Sequence, residues 1–188
     1  YNKIVLSWGA FTDFDDDGIY RDRFFGVSSR ECQETLWLVL YRSSETPRVL
    51  DGNVTLLYWP KLTLFRSVLK LFRTIVVPPK SFSFSGHICG EISAIVMGKL
   101  SRHSAVTKVI VPYESQPFQQ TLFECIEKGF PDVTGVGYLH SAPPPLPTDL
   151  IYRKGCPSNL LVHGEGVKDM LCEHLNWPLT TITVINSL

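Results

Sequence analysis

Three short segments carry side chains able to do acid–base chemistry, each directly after an apolar run. Val109-Ile110-Val111 leads into Pro112-Tyr113-Glu114-Ser115-Gln116-Pro117. Val136-Gly137-Tyr138 leads into Leu139-His140-Ser141, and Leu160-Leu161-Val162 leads into His163-Gly164-Glu165-Gly166. A carboxylate and two imidazoles brought to one place could take a proton from a hydroxyl and return it elsewhere. Each also has an ordinary structural use. Glu114 suits a helix start, where exposed amides favour a carboxylate. Ser141 can bond local backbone in a turn, and His163 can serve as a hydrogen-bonded loop residue.

Whether the three segments meet depends on the elements that carry them. Val106–Val111, Val133–Tyr138, Asn159–Val162 and Thr181–Ile185 read as strands, with helices at Gln116–Lys128 and Gly166–Asn176 between them. Earlier, Ile4–Leu6, Thr35–Tyr41 and Val54–Tyr58 also read as strands. Leu62, Phe65, Leu69 and Phe72 recur at helical spacing, predicting an amphipathic helix over 61–75 that Pro78-Pro79 stops. A further helix is expected over 86–103, and a rigid loop at Ala142–Pro147. Apolar runs without alternation, separated by helices, specify an α/β, Rossmann-like domain with a mainly parallel sheet flanked by helices. Val109, Val111, Val136, Leu161, Val162, Ile182 and Val184 should share that sheet, with helices on both faces. Right-handed crossovers put successive parallel strand ends on one edge. Glu114, His140 and His163 should therefore converge on one cleft, the first two nearest, in the crevice where open parallel sheets bind ligands. Gly137 should be small because the loop bearing His140 passes close to a neighbouring strand or ligand.

Composition narrows the function further. The 188 residues carry 18 Lys+Arg against 18 Asp+Glu, so no bulk field exists to hold a polyanion and nucleic acid is not the expected partner. A 44% hydrophobic and 19% charged chain supports a packed core, and its length suits one domain spanning 1–188. No run approaches 18 apolar residues, so no membrane span is expected. Tyr1–Trp8 reads as a strand rather than a signal peptide. The five cysteines are odd in number and form no CxxC pair, so neither a zinc site nor a disulfide framework is expected, and a reducing, cytoplasmic setting is the default. Asp13–Asp17 lacks the spacing of a calcium loop and reads as a solvated loop. Neither a dinucleotide fingerprint nor a GxxxxGK[ST] loop occurs. No metal or cofactor is expected.

Taken together, Tyr113-Glu114-Ser115-Gln116-Pro117-Phe118, then Val136-Gly137-Tyr138-Leu139-His140-Ser141, then Pro157–Gly164 resemble bacterial surface-carbohydrate glycosyltransferases of the two-domain GT-B type. An early segment of that family is matched by Asp22-Arg23-Phe24-Phe25-Gly26, while the family's Trp after Gln-Pro is Phe118 here and the acid that often follows is Gln119. The resemblance runs in order over nearly the whole chain on a handful of positions. It implies the N-terminal, acceptor-side domain, half of a two-domain protein whose second domain binds the nucleotide-sugar donor. It further implies transfer of a sugar to a glycan acceptor, with Glu114 and His140 as catalytic groups. Tyr113, Gln116, Tyr138, Ser141, His163 and Glu165 would contact substrate. A glycerophosphate-polymer transferase of related architecture and a non-catalytic Rossmann-like interaction module are the alternatives.

Overall fold

The computed structural model describes residues 1–58, 84–141 and 147–185, with the side chains of 84–88 left aside. The helix expected over 61–75 and the loop at 142–146 lie outside the described residues. The elements, in chain order, are β1 (Lys3–Gly9), β2 (Thr35–Tyr41), β3 (Val54–Tyr58), α1 (Phe84–Leu100), β4 (Lys108–Pro112), α2 (Pro117–Gly129), β5 (Thr134–Tyr138), β6 (Asn159–His163), α3 (Glu165–Leu175) and β7 (Ile182–Ile185). The strands form one sheet in the order β3-β2-β1-β4-β5-β6-β7, and every pairing is parallel. The chain is thus an α/β, Rossmann-like domain. No described helix is long and apolar enough to cross a membrane.

This order reverses between β1 and β4, and that reversal decides which face each connection covers. From β1 to β2 to β3 the chain steps one way along the sheet. From β4 onward it steps the other way. With right-handed crossovers, the two series must run over opposite faces. Accordingly α1, α2 and α3 all pack on one face, where Ile92, Val96, Leu122, Ile126 and Leu171 join Ile4, Leu38, Val109, Leu160 and Val162 in one core. The opposite face has a separate, smaller core of Val5, Tyr20, Trp37, Val39 and Val54, with Phe14, Phe25 and Val27 packed on it. What covers it is the β1–β2 connection, residues 10–34, which holds a single 3-10 turn at Phe11–Asp13 and no α-helix. The expectation of helices on both faces is therefore corrected: among the described residues, the second face is covered by a loop.

Of the seven residues expected in the sheet, Val109, Val111, Val136, Val162 and Ile182 are buried. Leu161 and Val184, towards the β7 edge, are half-buried. Gly137 is required by side chains rather than by the His140 loop. A Cβ there would meet Pro157 Cγ at 2.8 Å and Leu160 Cδ1 and Tyr113 Cβ at 3.1 Å.

Candidate functional site

Every parallel strand ends on the same edge, so β1, β4, β5 and β6 deliver Gly9, Pro112, Tyr138 and His163 to one rim. Between β1 and β4, where the strand order reverses, their loops diverge and leave a crevice of about 200 Å³. Trp8, Arg23, Phe24, Arg42, Glu114 and Gln116 line it. Its floor is the end of β1. A Cβ on Gly9 would lie 2.5 Å from Val39 Cγ1 and 3.2 Å from a Tyr20 ring carbon, so only glycine fits there.

Glu114 owes its position to a buried amide. Gln119, fully buried in the first turn of α2, accepts the N–H groups of Glu114 (3.1 Å) and Gln116 (3.0 Å) on Oε1. Its Nε2 donates to the Pro112 carbonyl at 2.6 Å. One carboxamide thus ties the end of β4 to the start of α2, and only a group that both donates and accepts can do so. Ser115, between them, takes a left-handed φ of 56° and turns its neighbour outward. Glu114 is half-exposed. Its Oε2 accepts from Gln116 Nε2 at 2.7 Å, and its Oε1 lies 3.7 Å from His140 Nε2.

The histidines are held by aromatic rings. His140 meets the Phe24 ring edge to face at 4.7 Å between centroids. Tyr138 stacks on Phe25 at 5.0 Å and shares a 2.8 Å hydrogen bond with His163 Nε2. Both imidazoles thereby use Nε2, while Nδ1 of each is buried without a partner among the described residues. Of Glu114, His140 and His163, expected to share one cleft, only Glu114 lines the crevice; His140 stands beside it on the rim. Glu114 and His140 are nearest, and His163 is reached through Tyr138.

Phe24 and Phe25 come from the β1–β2 loop, and Asp22 fixes them there. This carboxylate is buried, and its Oδ1 accepts the N–H groups of Phe24 (2.8 Å) and Phe25 (2.9 Å). Its Oδ2 accepts from the Tyr20 hydroxyl at 2.7 Å. Burial, and then the neighbouring Asp22 charge, push the Tyr20 phenol far above its ordinary value, so it stays a donor. Arg23, between Asp22 and Phe24, is pinned by one nitrogen to both oxygens of Asp13 (2.6 and 2.7 Å). Arg42 lies over the Trp8 ring, its guanidinium carbon 4.0 Å from the centroid.

Three expected site residues are placed differently. Tyr113 is fully buried in the helix-side core, its hydroxyl bonded to Ser115 Oγ (3.3 Å) and Cys156 Sγ (3.5 Å). Burial raises its phenol well above the usual range. It supports the rim from beneath and does not face the crevice. Glu165 opens α3 at the surface, bonded to Lys168 at 2.8 Å, and Ser141 is exposed beyond His140. Trp8, Arg23, Phe24, Phe25 and Arg42 were not assigned from spacing. The available signal was Asp22 placed two and three residues before Phe24 and Phe25, the interval at which an Asp side chain caps its own following amides. The reading of Asp13–Asp17 as a merely solvated loop is corrected too: Asp13 holds Arg23, and Asp15 Oδ1 accepts the N–H groups of Asp17 (3.1 Å) and Ile19 (2.9 Å). Among the described residues, no group of three or more His, Cys, Asp or Glu is placed to hold a metal ion.

These elements make a small, open pocket with one carboxylate beside one imidazole, two guanidinium groups and aromatic walls. It can hold one ring-sized polar ligand and take a proton from it. Compared with known proteins, the chain matches no family model, no curated protein and no solved structure.

Proposed function

We propose that the chain is the acceptor side of a GT-B glycosyltransferase, moving a sugar from a nucleotide-sugar donor to a surface glycan. The observation that carries this reading is the pairing of Glu114 with His140 at 3.7 Å on the rim of the switch-point crevice. The resemblance of the segments around Glu114, His140 and His163 to that family supports it. In the reaction the acceptor hydroxyl oxygen forms a bond to the donor's anomeric carbon. The bond from that carbon to the diphosphate oxygen breaks, and the nucleoside diphosphate leaves with the electron pair. The hydroxyl proton passes to Glu114, whose half-exposed carboxylate opens onto the crevice; His140 Nε2, 3.7 Å away, would receive it through one bridging water. Gln116 holds the Glu114 carboxylate from the side. Tyr138, oriented by His163 and Phe25, would position the acceptor. Donor phosphates would be met by the second domain that the resemblance implies.

The test is sugar transfer by the natural protein over a panel of nucleotide sugars, with Glu114→Gln and His140→Ala beside wild type. Glu114 is exposed enough that the amide should leave the fold intact. Loss of a general base is expected to lower the rate about 10²–10⁴-fold. Undiminished transfer by Glu114→Gln would overturn the assignment. Absence of transfer by wild type across the panel would favour the interaction module.

A further inference from the structure

The walls of the switch-point crevice are not electrically alike. On one side, Arg42 stacks on Trp8 with its guanidinium carbon 4.0 Å from the ring centroid, and among the described residues no carboxylate pairs with it. A guanidinium that uses its flat face on an indole keeps its N–H edge for another partner, and that edge matches two oxygens of one anion. Arg23 stands beside it, but its charge is offset by Asp13, whose Oδ2 also accepts the Ala10 N–H at 2.8 Å. On the other side stands Glu114, held by Gln116. An anion at that end would be repelled, whereas a hydroxyl would be welcome. The whole chain has no net charge, so this polarity is local to the crevice.

We propose that the crevice selects a monosaccharide unit bearing one oxyanion substituent, a carboxylate or a phosphate, with the anion on Arg42 and a hydroxyl toward Glu114. The volume of about 200 Å³ lies below the ~300–1,000 Å³ of sites for drug-sized ligands, which limits the occupant to about one ring. Phe24 supplies an apolar ring in the same lining against which a sugar can pack, while Trp8 backs Arg42. The inference names the acceptor class for the reaction proposed above and rests on that reading for its biological meaning. The selectivity itself is read by binding alone.

The experiment is calorimetric titration of the whole chain with glucuronate, glucose 6-phosphate, glucose and inorganic phosphate. The charged sugars, or one of them, should bind at least about tenfold more tightly than glucose, a difference of the size a charge-assisted bidentate contact gives. That advantage should shrink as salt is raised. In Arg42→Gln the advantage should vanish while glucose affinity holds, and Arg42→Lys should recover part of it. Arg42 is exposed, and an unchanged thermal midpoint confirms that each variant is folded. A preference for glucuronate assigns the anion as a carboxylate, and a preference for glucose 6-phosphate assigns it as a phosphate. Equal binding of glucose, no binding of any probe, inorganic phosphate binding as tightly as the charged sugars, or an advantage that survives Arg42→Gln would each overturn the proposal. If Glu114→Gln transfers sugar undiminished while the Arg42-dependent preference stands, the catalytic reading fails and the binding inference does not.

Discussion

On the helix side of the sheet, Leu122, Ile126, Leu160 and Val162, each 0–1% exposed, sit in a large and mainly aliphatic core that also takes in Tyr113, Phe118, Phe123 and Trp177. On the loop side the core is aromatic and small, and hydrogen bonds among buried polar groups complete it. Tyr20 donates to Asp22, Ser29 Oγ accepts from the Tyr20 N–H and donates to Asp51, and Asn53 Nδ2 donates to the carbonyls of Ser29 and Thr35. The first face is held by area removed from water, a diffuse quantity that many residues share. The second depends on a few directed bonds whose loss leaves buried groups unpaired. The crevice draws Glu114 and Gln116 from strand end and helix start, but Arg23 and Phe24 from the loop. Its shape therefore depends on the more fragile of the two faces.

This contrast can be broken by substitution. The largest effect is expected for Asp22→Ala, which leaves the Phe24 and Phe25 amides without their acceptor, at about 1–3 kcal/mol each, and leaves the Tyr20 hydroxyl only the Trp8 carbonyl. Allowing for partial rehydration, a loss of about 4 kcal/mol should appear in urea unfolding. The imidazole resonances of His140 and His163 should shift as Phe24 and Phe25 come away. A loss below about 1 kcal/mol with unchanged resonances would mean that the loop face does not depend on this carboxylate. Leu160→Ala should cost slightly less, about 3 kcal/mol, through a cavity on the helix face. It should leave ligand affinity in the crevice as it was. Lost affinity there would show that the two faces act as one.

A smaller effect is expected where the faces meet. Gln119→Glu replaces the Nε2 donor to Pro112 with a second oxygen and buries a charge, costing about 2 kcal/mol near neutral pH. A carboxyl so placed has its pKa raised on folding, so the variant should regain stability below the ordinary Glu value, where the proton restores a donor. Denaturation midpoints at pH 4 and pH 7 test this, and no difference between them would remove the explanation. The smallest effect, visible only in alkali, is that of Tyr20 ionisation. Its pKa is raised by burial and Asp22, so its contribution is fully present below the unfolded value of about 10 and declines as pH rises above it. Wild type should therefore lose stability above pH 10 more steeply than Tyr20→Phe. Parallel curves would place the alkaline loss elsewhere.

Much of this arrangement was legible in the sequence, and the misses have physical causes. Parallel strands ending in polar loops, joined by right-handed crossovers, are enough to place Glu114, His140 and His163 on one edge. Tyr113 was misread because it was grouped with Glu114 by adjacency. The alternation that puts Val109 and Val111 on the helix face puts Tyr113 there as well. Residues 10–34 were opaque for another reason. With one 3-10 turn and no α-helix or strand, they show no period, and their order comes from Asp13, Asp15 and Asp22 bonding nearby groups that composition counts only as charge. The departure at Gln119, which looked like a lost acid, is a position where the buried geometry needs a donor.

The sheet order also carries a kinetic consequence. β1 lies near the centre, with Lys3 paired to Thr35 on one side and to Lys108 on the other. The β1–β2–β3 half can assemble from contacts close in sequence, whereas β4 must find β1 after a loop several times longer. Closing such a loop is slow, because its entropy is spent before the contact forms. Until it closes, the edge of β1 stands unpaired and the switch-point crevice does not exist, since one of its two walls has not arrived. Refolding should therefore show the Tyr20–Trp37 aromatic contact, at 5.4 Å in the finished protein, before any ligand can bind. The capacity to bind would be the last property the chain acquires.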